Sequence, residues 1–356
     1  MTSNAIMNPH VSIIILNWNG WRDTIECLES LYQIIYPNYD VILVDNFSTD
    51  DSIKKITSYC QGDIKVNSPY TNYSIKNKPI YLFEYTKEEV ENQRISFESS
   101  KIKNLKSNRK LHLIKVQEKN IMWAGGTNLG LKFCIENLAM DYILLLNNDM
   151  VFEKNFLMEL VKFTQLEKNK KIGLLSPRVC LYDSPDQNQW SVFQNVKKPI
   201  ECKASTGSAM FINPQIIKKI GFIDRRFGLY HEDVDYSYRT YKAGYKVYYI
   251  PTRDKILHKG SNTTKTIKGY GAYYGFKNYL LLNVKHKSYL DFLFFLVKYT
   301  LRTYIPKLIK IPKEIRKYAL KGFIKAIKQI LMDRTLLLHH GYKNFWLYNE
   351  YNTLLK

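Results

Sequence analysis

Residues 221–239 read GFIDRRFGLYHEDVDYSYR and set four acids, Asp224, Glu232, Asp233 and Asp235, among aromatic side chains in a chain of net charge +21. Two physical readings are open. Glu232, Asp233 and Asp235 precede or open a segment, 236–243, that can run as a helix, and acids are favoured at a helix N-terminus. A carboxylate held against aromatic rings is also a general base when a substrate proton comes within hydrogen-bond reach. Polar islands elsewhere offer ligand chemistry. Asn17-Trp18-Asn19-Gly20 fits a turn or a ligand-facing strand end. In Asp45-Asn46-Phe47-Ser48, Ser48 and Asp51 have helix-cap spacing, whereas a carboxylate at the position of Asp45 can accept from a nucleobase N–H or a ribose hydroxyl. Trp123-Ala124-Gly125-Gly126-Thr127-Asn128 places glycines where bare N–H groups can face phosphate, although its spacing is neither the dinucleotide fingerprint nor a Walker loop. Asn147-Asn148-Asp149 is a turn or, through Asp149, a ligand for magnesium or manganese, which favour oxygen. His258 is either structural or a second ligand for the same ion.

These residues need strand ends to carry them. Residues 11–16 form a continuous apolar run suited to a buried parallel strand, and 21–33 follow with helical spacing. The unit repeats with a strand over 41–44 and a helix over 48–60. After 61–110, where Asn, Ser, Lys and Tyr dominate and an inserted loop is expected, strands are expected over 111–116, 142–146, 172–175, 204–212 and 245–250, with helices over 129–136 and 155–167. The alternation predicts an α/β chain with a mostly parallel sheet flanked by helices. The polar islands fall at its strand ends, where open α/β sheets place their ligand crevice. Small residues at Gly207 and Ser208 suggest close approach of something to the backbone.

Composition narrows the classes. Five cysteines without C-x-x-C spacing argue against a zinc ribbon or a disulfide scaffold, and reduced cytosol is the expected setting. No signal peptide is read in the polar residues 1–10. From residue 255 to 356 there are 20 Lys/Arg against 4 Asp/Glu, which accounts for +16 of the net charge. Apolar residues at roughly helical intervals accompany these lysines, and the uncharged run after Asp291 is far shorter than the ~20 residues of a spanning helix. A basic amphipathic extension over 284–356, lying on an anionic membrane surface, is expected. Nucleic acid is not expected as a partner, since no zinc finger or RNA-binding signature accompanies the charge.

Taken in order, the opening VSIIILNWN from Val11, VDNFSTDDS from Val44, WAGGTNLG from Trp123, LLLNNDM from Leu144 and IGFIDRRFGLYHEDVDYSYRTYKAGYKVYYIP from Ile220 resemble the inverting glycosyltransferases of family 2. The rhamnosyltransferase-like branch is the nearest in pattern. The resemblance implies a GT-A nucleotide-sugar-binding fold over 1–283, with Asn17, Asn19, Asp45, Gly125, Gly126, Asn128 and Asn148 around the donor, and Gly207, Ser208 and Trp123 near sugar or acceptor. It implies a divalent metal (Mn2+ or Mg2+) at Asp149 and His258, with Asp233 as catalytic base and Glu232 beside it in the same motif. Two positions depart from the family pattern: Asn147 replaces the first acid of D-x-D, and Lys277 stands where Arg is frequent. The implied reaction is transfer from a UDP- or dTDP-linked sugar, rhamnose included, to a glycan or lipid-linked saccharide acceptor at the inner face of the cell membrane, in cell-envelope polysaccharide assembly. Asn147 also keeps open a catalytically weak, sugar- or nucleotide-binding pseudoenzyme.

Overall fold

A computed structural model describes residues 8–93, 95, 109–167, 169–260 and 267–332. The isoleucine-rich segment Val11–Asn17 (β1) is almost wholly buried, the environment of a central parallel strand. It pairs in parallel with Tyr39–Asp45 (β2) on one side and Tyr142–Asn147 (β5) on the other. Beyond β2 follow Lys110–Lys115 (β4) and Tyr81–Thr86 (β3), both parallel. Beyond β5 come Ala209–Ile212 (β11), Ile172–Pro177 (β7), Lys246–Ile250 (β12) and Ile200–Glu201 (β10), completing a nine-stranded sheet. β11 runs antiparallel to both of its neighbours and β10 antiparallel to β12. Met150–Phe152 (β6), Ile256–His258 (β13), Val179–Leu181 (β8) and Ser184–Asn188 (β9) form a second, four-stranded sheet.

Trp21–Leu31 (α1) and Ser52–Gln61 (α2) follow the first two strands, and Lys87–Glu91 (α3) starts on a capping box at Thr86 and Glu89. Met122–Asn137 (α4) follows β4, while Phe156–Leu166 (α5) and Gln215–Ile220 (α6) follow β6 and β11. Three differences from the sequence reading have physical reasons. The 61–110 insertion, expected as a loop, supplies the edge strand β3; most of its side chains are only half-buried, so it lacks an apolar run. Residues 94 and 96–108 of that insertion lie outside the described residues. The strand expected over 204–212 begins only at Ala209, leaving Gly207 and Ser208 in the turn before β11. Gly125 and Gly126 lie inside α4 rather than in a loop ahead of a helix. A Cβ on Gly126 would stand 2.3 Å from Leu16 Cδ1, and one on Gly130 would stand 2.7 Å from Ile14 Cγ2. The glycines of this helix therefore let it approach β1 closely.

By contacts, Asp224–Tyr236 belong with the C-terminal helices, whereas the chain through Ile223 and again from Ser237 to Gly260 forms the sheet unit. The helix Glu232–Lys242 (α7) begins in this acidic segment. Tyr270–His286 (α8) is followed by Tyr289–Tyr299 (α9), Ile305–Lys310 (α10) and Lys313–Met332 (α11), with a π-helical turn, Thr300–Tyr304, joining α9 to α10. Leu280, Leu281 and Val284 of α8 pack with Phe292, Tyr299, Tyr304, Ala326 and Ile330 in one apolar cluster. The boundary expected at 283 thus falls inside α8.

Candidate functional site

At the ends of β1, β2 and β5, side-chain amides dominate. Asn17 is fully buried at the end of β1. Its Nδ2 donates to Asp45 Oδ2 (2.6 Å) and Ser48 Oγ (3.1 Å), while its Oδ1 accepts from Thr24 Oγ1 (2.8 Å). Asp45, 1 % exposed, also accepts from the Ser48 N–H (3.0 Å) and the Ser48 hydroxyl (2.7 Å). The carboxylate read as a nucleoside contact is therefore enclosed by protein donors and fixes the loop after β2. Asn19, with φ of 50°, accepts from the Thr49 N–H (2.7 Å) and stitches that loop to the one after β1. Asn46 extends the network. It donates to Asn120 Oδ1 (3.0 Å) and the Met122 carbonyl (3.1 Å), and it accepts from the Ile121 N–H (2.9 Å) at the start of α4. Nothing in the sequence reading singled out Asn46.

The Asn147-Asn148-Asp149 triplet gathers several of the expected residues. Asn148 Nδ2 donates to Thr24 Oγ1 (2.9 Å). Trp123 Nε1 donates to Asn147 Oδ1 (3.4 Å), and Asn147 Nδ2 lies 3.3 Å from His258 Nε2. That same Nε2 is 3.1 Å from Asp149 Oδ1, with both side chains buried. β13 places His258 beside Met150 of β6, so the histidine reaches the acid through strand pairing. Behind the ring, His258 Nδ1 meets Gln189 Oε1 at 3.0 Å, and the Ser208 hydroxyl donates to the same oxygen at 3.4 Å. With its Nδ1–H given to Gln189, the ring can either donate Nε2–H to Asp149 or turn an Nε2 lone pair toward a cation held between the two side chains. A carboxylate oxygen and an imidazole lone pair that converge in a buried place fit a divalent cation. No group of three or more His, Cys, Asp or Glu side chains gathers for a metal among the described residues; Asp149 and His258 converge as a pair.

Asn128 stands apart. Its Nδ2 donates to the Ile223 carbonyl (2.7 Å) and its Oδ1 accepts from the Ile223 N–H (3.0 Å), which makes it a strut for the chain ahead of the acidic segment. Arg239 is 1 % exposed and supports the same stretch by donating to the carbonyls of Ile220 (2.7 Å) and Phe222 (2.9 Å).

The acidic segment, in the helical unit, is built with charges. Tyr230 and His231 both have left-handed backbones, φ 66° and 67°, directly before α7. Two consecutive non-glycine residues in that region are strained and persist only when their surroundings hold them. Asn278 of α8 is a clear part of that support: its buried Nδ2 lies 2.8, 2.6 and 2.8 Å from the carbonyls of Phe227, Leu229 and Tyr230. Beside it, Lys277 Nζ donates to the Arg226 carbonyl (2.6 Å), and burial pushes its amine down to about 8.

The three acids of α7 meet different fates. Asp235 is fully buried and pairs with Lys285 (2.8 Å) and His286 (2.8 Å). Lys285 also reaches Asp224 (2.6 Å), which Arg226 grips as well (2.6 Å). Burial would raise the Asp224 carboxyl, but Lys285 and Arg226 hold it well below the usual carboxylate range. Glu232 is buried, and burial together with the charges of Asp233 and Asp235 pushes its carboxyl well above the usual range. That environment favours its neutral form over the carboxylate. Asp233 is half-buried, accepts from the Val234 N–H (2.8 Å), and stands in the first turn of α7, where the helix dipole favours an anion.

Against known proteins, residues 12–69 match the glycosyl transferase family 2 model, which upholds the family resemblance read from the sequence. The fold class stands as well. The chain superposes on GalNAc-T7, whose structure holds UDP, GalNAc and Mn2+, with a TM-score of 0.51 at 14% identity, covering 93% of this chain and 58% of that one. On residues 1–349 of S. aureus TarS in complex with UDP-GlcNAc the TM-score is 0.50 at 14% identity, with 89% and 81% covered. Among curated relatives, a hexosyltransferase of low-salt glycan biosynthesis from Haloferax volcanii is 22% identical over 176 residues, 45% of this chain and 56% of that protein. An N-acetylglucosaminyl-diphospho-decaprenol L-rhamnosyltransferase from Mycobacterium tuberculosis is 27% identical over 84 residues, 24% of this chain and 27% of that enzyme. The chain thus spans about half the length of the first of these relatives and about a quarter of the second.

Proposed function

We propose that the chain is a glycosyltransferase that moves a sugar from a nucleoside-diphosphate donor to a hydroxyl of a glycan or lipid-linked saccharide, with inversion at the anomeric carbon. The observation that carries this reading is the convergence of Asp149 Oδ1 and His258 Nε2 at 3.1 Å, at the strand ends of a GT-A sheet. Asp149 and His258 would hold a divalent ion; Mn2+ suits their mixed oxygen and nitrogen set, and positions they leave open suit phosphate oxygens. Such an ion, when bound, offsets the charge that grows on a departing diphosphate.

The chain's own residues do the rest. Gln189, as an acceptor at Nδ1, favours the tautomer of His258 whose Nε2 can ligate the ion, and Asn147 lies 3.3 Å from that nitrogen without adding a second negative charge beside an anionic donor. Asp233 takes the acceptor proton as the acceptor oxygen attacks opposite the leaving diphosphate, so one displacement inverts configuration and no enzyme nucleophile is needed. Burial and the charges of Asp233 and Asp235 raise the Glu232 carboxyl, which favours its neutral form beside that base. The basic extension supports the acceptor class and a setting at the inner membrane face, since anionic lipid and a lipid-linked diphosphate both complement its lysines.

A thermal-shift panel of UDP-, dTDP- and GDP-sugars, with and without Mn2+, tests donor use. One donor should raise the melting temperature by mass action, more so with Mn2+, and Asp149→Ala should abolish the Mn2+-dependent part. A folded protein that no nucleotide sugar stabilises would contradict the proposal.

A further inference from the structure

The apolar cluster of the helical unit covers only one side of the rod formed by α9, the π-helical turn and α10. Phe292, Tyr299 and Tyr304 point into that cluster, with Phe295, Leu296 and Leu308 packed at its margin. The other side is apolar too. Leu290, Phe294, Val297, Leu301, Ile305 and Ile309, spaced four, three, four, four and four residues apart, are 67, 77, 61, 62, 41 and 64 % exposed. That spacing keeps them on one face of a helix, and a contiguous apolar stripe of this kind on a protein surface marks an interaction site.

We propose that this stripe is the surface by which the protein docks on an anionic lipid membrane, lying in the interface with the six side chains inserted among the acyl chains. The inference rests on the membrane-face reading above and gives it a specific surface. Charge selects the occupant. Lys298, Arg302, Lys307 and Lys310 are exposed and interleave with the stripe, with Asp291 as the one acid from 290 to 310. Across an interface between two copies these cations would face their own kind, whereas acidic headgroups attract each of them. Their aliphatic stems can lie along the apolar face while the charged ends stay in water. Among the described residues no helix is long and apolar enough to cross a membrane, so the rod lies along the surface instead.

The test is co-sedimentation of the full chain with vesicles of phosphatidylcholine alone or of phosphatidylcholine with phosphatidylglycerol, together with Leu290→Glu/Phe294→Glu/Leu301→Glu and Lys298→Glu/Arg302→Glu variants. Wild type should bind the anionic vesicles and lose affinity with rising salt. The apolar variant should weaken that binding roughly tenfold or more, from lost burial of three large side chains, with its melting temperature preserved. The charge variant should lose the preference for anionic vesicles. No binding by wild type, binding by the apolar variant equal to wild type, or a wild-type dimer that the apolar variant dissolves would each overturn the proposal. Nucleotide-sugar hydrolysis measured on the same samples separates the two readings. Turnover without vesicle binding removes the lipid surface alone, and vesicle binding without turnover removes the transferase alone.

Discussion

The sheet unit and the acidic segment of the helical unit both hold carboxylates in fixed places, by opposite means. Around Asp45 and Asp149 the supports are mostly neutral: Asn17, Asn19, Asn46, Asn147 and Asn148, with serine and threonine hydroxyls. Around Asp224 and Asp235 they are the cations Arg226 and Lys285, with the imidazole of His286. The difference has a chemical logic. A diphosphate donor is strongly anionic, and amides can shape its site without adding negative charge. A segment with four acids in a short stretch needs buried cations beside them, and where Glu232 lacks one, burial and its acidic neighbours push its carboxyl up.

If that contrast is right, charge deletion should hurt the helical unit far more than amide deletion hurts the sheet unit. Lys285→Met leaves Asp224 and Asp235 short of a buried partner and should cost about 3–5 kcal/mol by denaturant unfolding at neutral pH. That cost should shrink as the pH falls below about 4. Asp224 has a lowered folded value, so its contribution is present above its unfolded value and is lost as the pH falls through the folded one. Asn278→Ala removes a support of the left-handed Tyr230-His231 pair and the amide that three carbonyls share; a loss of about 1–3 kcal/mol is expected. On the proposed function, its diagnostic is a fall in kcat with donor affinity unchanged, because Asn278 supports the segment of the proposed base rather than Asp149 and His258. Gly130→Ala, with its Cβ against Ile14, should cost about 1–3 kcal/mol by overpacking. In the sheet unit, Asn148→Ala should cost about 1 kcal/mol.

A smaller effect probes Glu232. Its raised folded value means that the folded protein binds more protons than the unfolded chain above the unfolded value, so wild-type stability declines as the pH rises from about 4.5 toward the folded value. Glu232→Gln removes that term. Melting temperatures of variant and wild type should diverge in the variant's favour with rising pH; parallel curves would show that Glu232 titrates normally.

Much of the donor side was legible in the sequence because buried parallel strands announce themselves. Runs such as Ile13-Ile14-Ile15-Leu16 and Leu144-Leu145-Leu146 end abruptly in polar residues, and Asn17 and Asp149 stand at those breaks. What the sequence hid depended on folding at a distance. Gln189 meets His258 only because β8 pairs with both β9 and β13. β3 escaped notice because an edge strand need not be apolar. Lys285 and His286 read as part of a basic surface extension, yet they turn inward to Asp224 and Asp235, and charge counting cannot see direction. Asp45 reads as a ligand contact by position, and the hydrogen bonds from Asn17 and Ser48 that also make it a hub of its loop arise only in the fold.

The central claim is that Asp233 acts as base in a segment separate from the donor ligands. The most direct measurement is donor hydrolysis and transfer by Asp233→Asn, alongside donor affinity from calorimetry with Mn2+ present. The account predicts a fall in turnover of about 10²–10⁴-fold with donor affinity within error of wild type. Unchanged turnover in a variant that still binds donor would remove Asp233 from the role of base.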